Sequence, residues 1–365
     1  MPTRYKVPPE LQVRVRHQSV RSTAAKILHS AGVPVAEADE AADVLVTADV
    51  RGIDSHGVSN HVPLYMEYYG TGALNPRPNW SVSRETRSTA TIDADKGLGI
   101  ALGRRAMQIA VDKAKDVGMG VVTMSNSGHL GAVGHFSMIA AEQDMIGMTM
   151  TCGGMLMAPT FGAEARFGTN PIGVAAPANK EPPFLFDAAT SSVAYNKILL
   201  IERLGLPVPA GWLTDEKGTP IMEETEVPPL GKFMVPPVGS TREIGSHKGY
   251  GLATMVEILT ALLSGMQPSM VEGYEPGAPH RNYFAAYDIA AFSDVDVFKE
   301  NMDQMLRTLR ETKPAPGEER VLYPGMLEHE AEIDRLANGI PLHHEIVTWL
   351  DTKASVIGAP PLERS

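Results

Sequence analysis

The chain has a single cysteine, Cys152, among 365 residues. An intrachain disulfide is therefore impossible, which excludes the cysteine framework of small secreted domains. Positive charge is also scarce: 32 Lys and Arg face 43 Asp and Glu, a net charge of −11 at pH 7. A surface of that sign disfavours phosphate backbones, so no nucleic-acid partner is expected. Long apolar runs are missing too. The longest, GLATMVEILTALLSG, carries Glu257 and is shorter than the roughly 18–20 residues of a membrane span. The first twenty residues hold no apolar run resembling a signal peptide. These readings predict a cytoplasmic protein with no membrane partner. There is no GxSxG elbow for a hydrolase nucleophile. The pairs His56/His61 and His129/His135 match neither i,i+4 on a helix nor HxH on a strand, so no metal site is expected.

What is present is globular. Apolar residues make up 43% and charged residues 21%, enough for two domains. Ala41, Val44, Leu45 and Ala48 repeat at helical spacing and predict a helix over 35–50, with Gly52 as its stop. A second helix is expected from Pro63 to Gly70, then a connector, GALNPRPNW, and a domain boundary near 72–80. Strands and helices then alternate: strand 89–94, helix 101–117, strand 119–124, helix 133–145, strand 146–151. Residues 153–241 read as strands and long ordered loops. Residues 252–263 are apolar on nearly all sides and predict a buried helix. Further helices are expected at 294–310, 330–337 and 344–352, with LHHE as solvated helix surface.

Several loops share one design: a polar, glycine-containing turn between a strand and a helix or between two helices. RGIDSHGVSNH holds Ser55 and His56, SNSGHLGAVGH holds His129, FLFDAATSS holds Asp187, Thr190 and Ser191, and GSHKGYG holds His247 and Lys248. A helix start beside a lysine suits an anion such as a nucleotide phosphate. A loop histidine suits proton transfer, because its ordinary pKa lies near working pH. KGLGIALG invites a dinucleotide-binding reading. Its pattern is GxGxxxG rather than GxGxxG, and the next strand ends in Ser125-Asn126 rather than in an acidic residue. Its glycines read instead as close-packing positions.

Together these segments resemble the type-2 malate/L-lactate dehydrogenase family, whose relatives include ureidoglycolate, sulfolactate and diketogulonate oxidoreductases and cyclic imino-acid reductases. The resemblance rests on ADVRGIDSHGVSNH, GLGIALGRRAMQIA, NSGHLGAVGHFS, DMIGMTMT, FGTNPIGVAAP, FDAATSS, GSHKGYGLATMVEILTALLSG and VLYPGM, in family order over about residues 20–350. It implies a non-Rossmann α/β fold: a mixed-sheet cofactor domain at 79–293 and a helical domain built from both chain ends, 1–78 and about 294–355. It also implies a homodimer acting on a small molecule. The cofactor, NAD or NADP, would lie against Asp187, Ala188, Ala189, Thr190, Ser191, His247, Lys248 and Gly325. The implied reaction moves hydride between nicotinamide and a hydroxy or oxo compound. His129 is preferred as acid/base, with His56 and Ser55 on the substrate oxygen. Reduction of a cyclic imino acid is the alternative. A non-catalytic nucleotide-binding relative should have lost its histidines, and both are present.

One departure matters. Many members carry an Arg four residues after the DSHG histidine; here Asn60 stands there. Asn offers no charged fork to a carboxylate. Either Arg51, Arg166 or Arg281 replaces it, or the substrate is not a simple 2-hydroxy acid. Otherwise Asn60 simply caps the helix expected at Pro63.

Overall fold

The computed structural model describes residues 5–273, 277 and 279–365. A short strand, β1 (Gln12–Val15), leads into α1 (His17–Ser30), α2 (Val35–Val50) and α3 (Val58–Thr71). The start of α3 differs from expectation, lying five residues before Pro63. Asp49, on α2, accepts the Val58 N–H at 2.9 Å and so caps α3 from a neighbouring helix. With its first donor satisfied from outside, the helix begins early and carries Pro63 inside it.

The sheet follows: β2 (Ser81–Glu85), β3 (Thr89–Asp93), α4 (Gly99–Val117), β4 (Met119–Ser127), α5 (Gly134–Ala141), β5 (Met145–Cys152), β6 (Ile172–Ala176) and β7 (Phe184–Ala188). After α6 (Tyr195–Arg203), α7 (Ser246–Glu257) and α8 (Ser269–Glu272), β8 (His280–Asp288) inserts into its centre. The order is β2-β3-β4-β8-β5-β6-β7. Of these pairings only β3 with β4 is parallel, bridged by α4. This mixed sheet has none of the parallel doubly-wound order of a Rossmann domain. In KGLGIALG, a side chain at Gly103 would overlap the Phe136 ring, and one at Gly99 would overlap the Gly128 carbonyl. These glycines let α4 approach α5 and the GHLG loop.

The chain closes with α9 (Val295–Arg310), α10 (Met326–Asn338), β9 (Ile340–His343) and α11 (His344–Val356). Strand β9 pairs antiparallel with β1, so the two chain ends meet. Helix α9 packs elsewhere: Met302 and Leu306 bury against Ala176 and Tyr323 at the β6–β7 side of the sheet. One continuous apolar core runs from α1–α3 through Leu74 of the connector to β3, β4, α4 and α5.

Four further expectations are corrected. The helix at 133–145 ends at Ala141, because Met145 already belongs to β5. The 153–241 stretch contains a helix, α6, seated on Ile198 and Ile201. The apolar helix of residues 252–263 is α7 with a π-helical extension, and it is not buried on all sides. Ala253, Val256 and Ala261 face the protein, while Leu252, Met255, Ile258, Leu262 and Leu263 are exposed. Of the LHHE pair, His343 is buried and caps α11, accepting the Glu345 N–H at 3.3 Å. No helix among the described residues is long and apolar enough to cross a membrane.

Candidate active site

The DSHG turn is clamped from behind. Arg335 of α10 pairs with Asp54 at 2.5 Å and donates to the Asp49 carbonyl at 2.5 Å. Gly52 takes a left-handed φ of 76°, which lets α2 stop and the chain reverse. Gly57 meets a different need. Its φ is −89°, open to any residue, but the Asp49 carboxylate occupies the space a Cβ would need. Burial raises the pKa of Asp49 to about 8, opposed by the Val58 hydrogen bond.

This clamp presents Ser55 and His56 to three more histidines. His56 and His61 stack with centroids 5.5 Å apart, and His61 and His129 at 4.7 Å. His280, the first residue of β8, meets His129 edge-on at 5.6 Å. The cluster holds no metal-ligating group of three or more His, Cys, Asp or Glu, and neither do the other described residues. Burial is the main cause that lowers each ring: His56 and His280 to about 4, His61 to about 3, and His129 well below its ordinary value. For His56 the positive charge of Lys197 adds to the effect.

The two catalytic candidates differ at Nδ1. On His56 this nitrogen faces the Ser55 hydroxyl at 2.8 Å, a group that can donate or accept. On His129 it accepts the Gly131 N–H at 3.1 Å, and the Tyr65 hydroxyl lies 3.0 Å away. A backbone N–H can only donate. Burial raises the Tyr65 pKa well above its ordinary value, so this hydroxyl keeps its proton. The neutral His129 ring therefore carries its hydrogen on Nε2.

Asn60 is inside α3 and caps nothing. Its amide donates to the Ser55 carbonyl at 3.2 Å, and its oxygen accepts from Arg203 at 3.3 Å. Asn196 reaches His61 at 3.2 Å, which seats the start of α6 on the cluster. The three replacement cations are all engaged: Arg51 with Glu332 at 2.5 Å, Arg166 with Glu164, and Arg281 with Glu272. Sequence reading missed Tyr65, His280, Asn196, Lys197 and Arg203 as neighbours of the cluster. Tyr65 had a signal, four residues after His61 on one helical face. His280 had none, since strand pairing alone brings it there.

The residues expected at the cofactor gather around the end of β7. Asp187 accepts the Gly134 N–H at 2.7 Å, tying β7 to the helix that follows the His129 loop. Burial, opposed by that bond, raises its pKa to about 6. Gly249 lies tight against the Thr190 carbonyl and the Val238 backbone, so the start of α7 abuts the 187–191 loop. The Pro324 carbonyl accepts the Leu185 N–H at 3.1 Å, which brings Gly325 to the same strand. His247 and Lys248 are exposed on the first turn of α7, and no side chain caps that turn.

The histidine cluster has a consequence for stability. His56, His61, His129, His135 and His280 are held below the unfolded value, so between about pH 4 and 6.5 the unfolded chain binds more protons. Stability is then complete above about 6.5 and falls as pH drops through that window, by about 1.4 kcal/mol per pH unit for each net proton. Asp49 and Asp187, held above their unfolded values, pull the opposite way but are fewer. Chemical denaturation at pH 7.0 and 5.0 is expected to give a clearly lower midpoint at 5.0; equal midpoints would mean that the rings protonate freely in the folded protein.

A family model described as malate/L-lactate dehydrogenase matches residues 15–351. Malate dehydrogenase of Pyrococcus horikoshii is 38% identical over 355 residues, 97% of this chain and 98% of that protein. Its solved structure superposes with a TM-score of 0.89 at 36% identity, covering 98% of this chain and 99% of that one. L-sulfolactate dehydrogenase of Methanocaldococcus jannaschii is 36% identical over 312 residues, 85% of this chain and 87% of that protein. Ureidoglycolate dehydrogenase (NAD(+)) of Escherichia coli is 29% identical over 347 residues, 94% of this chain and 96% of that protein.

Proposed function

The chain belongs to the malate/L-lactate dehydrogenase family, and from that premise we propose that it interconverts a small hydroxy acid and its oxo acid, with His56 carrying the proton and His129 holding the substrate oxygen. The oxidoreductase class follows from the family; the roles of the residues are our reading. The contrast at Nδ1 carries it. To gain a second proton, His129 must take it on the nitrogen at which Gly131 N–H, and with it the Tyr65 hydroxyl, already points. His56 meets no such barrier. Its Nδ1–H can donate to Ser55 whether Nε2 is bare or protonated, so nothing rearranges when the proton moves. Sequence reasoning preferred the opposite assignment; these hydrogen bonds favour this one.

In oxidation the neutral His56 takes the hydroxyl proton at Nε2, and burial keeps that ring neutral near pH 7. In reduction the same atom returns it. His129 Nε2–H supports the developing negative charge on oxygen without giving up its proton, as a fixed donor in a site partly closed to water does. The Ser55 hydroxyl orients His56, and the Asn60 amide holds the Ser55 carbonyl. Arg51 lines the turn but spends its charge on Glu332.

The donor set at the end of β7 fits a nicotinamide dinucleotide. The Ser246 and Lys248 N–H groups at the start of α7 are spent on the Thr241 and Gly245 carbonyls, so what this turn brings to a phosphate is the exposed ammonium of Lys248. Asp187, Ala188, Ala189, Thr190, Ser191 and His247 would complete the wall, with Gly325 behind. When bound, the nicotinamide supplies the hydride acceptor or donor. The donor set suits NAD and NADP alike. Lys248→Ala is expected to raise the cofactor dissociation constant about tenfold or more, since one charge-assisted contact of about 1.5–3 kcal/mol is lost. Unchanged affinity by calorimetry in a folded variant would remove Lys248 from the site.

The exposed apolar stripe Leu252, Met255, Ile258, Leu262 and Leu263 supports a homodimer, because a monomer gains nothing by leaving it in water. A cytoplasmic setting is in keeping with one buried, unpaired cysteine. The test of function is a screen of the purified protein with NAD and NADP against 2-hydroxy acids, other hydroxy compounds and cyclic imino acids, read at the absorbance of reduced nicotinamide. Turnover of a hydroxy acid is expected. Turnover of cyclic imines alone would replace this reading with the imino-acid alternative.

A further inference from the structure

We propose that Lys197 is the group that binds the substrate carboxylate, in place of the arginine that Asn60 has displaced. The proposal rests on the hydroxy-acid reading above. The first argument is one of elimination. Arg51, Arg166 and Arg281 each face a glutamate, and Arg203 is held by the Asn60 oxygen. Lys197 forms no ion pair among the described residues. Its ammonium stands over the Trp212 ring, 5.5 Å from the centroid.

The second argument is placement. Lys197 follows Asn196, whose amide touches His61 and whose carbonyl lies 3.5 Å from the Asn60 amide. The first turn of α6 is thus docked on the histidine cluster. The Lys197 charge acts on His56 itself, the ring that carries the proton in our reading. The third argument is chemical. Lys197 is half-buried, and loss of water holds its pKa below the ordinary lysine value. An ammonium partly stripped of water, resting on an aromatic face and on no carboxylate among the described residues, is an incomplete pair. An incoming carboxylate completes it and recovers part of the desolvation cost. Burial is the main cause that lowers His56, but the same carboxylate offsets the part that Lys197 adds, so substrate binding makes the proton carrier more basic.

The groups facing His56 are the Ser55 hydroxyl on its own turn, His61 on α3, His129 on its loop and Lys197 on α6. Only Lys197 is cationic near neutral pH. Lys197→Met should therefore move the acidic limb of the pH–rate profile upward.

The test compares wild type, Lys197→Met and Lys197→Arg. Calorimetry measures binding of oxamate, an analogue of a 2-oxo acid, and of its uncharged counterpart oxamide, to the cofactor-loaded protein. Kinetics measures KM for a 2-hydroxy acid and its methyl ester. Lys197→Met is expected to weaken oxamate and raise the acid's KM about tenfold or more, the loss of one charge-assisted contact. Oxamide binding and the ester's KM should stay within about twofold in the same comparison, and Lys197→Arg should restore part of the loss. Equal losses for charged and uncharged probes would make Lys197 a packing residue of α6 and overturn the proposal. So would wild type that fails to bind oxamate, or Lys197→Met that binds it unchanged. Oxamate binding that depends on Lys197, without turnover of any hydroxy acid, would leave the carboxylate site standing and overturn the function proposed above.

Discussion

His56→Ala is expected to lower kcat by about 10²–10⁴-fold, the usual contribution of a positioned proton carrier, and to remove the acidic limb of the kcat/KM profile for oxidation, which reports the free enzyme. The limb itself should lie low. Burial, reinforced by Lys197, holds His56 at about 4. The base must be neutral to act, so activity persists through pH 6 and 5 and falls only as pH drops toward 4. An ordinary imidazole would place that fall near 6.5. His129→Ala should also be slow, by about 10²–10³-fold, because a fixed donor to the developing charge is lost. Its profile should nevertheless keep the limb, since in our reading His129 does not change protonation. Tyr65→Phe separates the two ideas further. It removes one of the two donors at His129 Nδ1 but leaves the Gly131 N–H in place. The Nε2–H form should survive, with modest loss of rate and no shift of the limb. If His129→Ala abolishes the limb and His56→Ala retains it, the assignment is reversed and the hydrogen bonds at Nδ1 do not decide the chemistry.

The sequence made some of this visible and hid the rest for identifiable reasons. Helix α2, helix α4 and the strands β4 and β5 carry their periodicity within their own residues, so pattern alone places them. The start of α3 depends on a carboxylate nine residues upstream, and Pro63 drew attention away from it. Helix α6 is nine residues long within a Pro- and Gly-rich stretch, where its Ile198–Ile201 spacing is a faint signal. The apolar run at α7 reads as interior because composition does not say whether this chain or another covers it. At the site, the polar glycine loops singled out Ser55, His56, His129 and Asp187; the fold brings the first three together and ties Asp187 to Gly134, five residues after His129. Reading loops could not produce His280 from the start of β8, or Lys197 from a helix that was not foreseen. It also misjudged Arg51, Arg166 and Arg281, because the acidic partner that occupies each guanidinium is a matter of three-dimensional packing.

Gly57→Ala is expected to be the most damaging small substitution in the site. The reason is space. At a φ of −89° an alanine has no backbone objection to this position. Its methyl, however, would fall on the carboxylate of Asp49, which is buried, accepts the Val58 N–H and packs beneath the clamp formed by Arg335 and Asp54. Neither side can yield cheaply. Moving Asp49 uncaps α3, and moving Gly57 displaces Ser55 and His56. The expected cost is about 3 kcal/mol or more, above ordinary overpacking because a buried hydrogen bond breaks as well. A displacement of about 1 Å at His56 should also cost on the order of 100-fold in kcat. Two further variants separate this from a generic response of α3. Gly70→Ala lies in the same helix with nothing within 4 Å of the new methyl, and should be neutral or slightly stabilising. Asp49→Ala combined with Gly57→Ala clears the overlap but leaves Val58 uncapped, so the double variant should be more stable than Gly57→Ala alone and less stable than wild type. Thermal melts together with kcat for the four proteins read this directly. A Gly57→Ala protein that melts with wild type, or a double variant less stable than the single one, would mean that the Asp49 carboxylate does not fill the space beneath the DSHG turn.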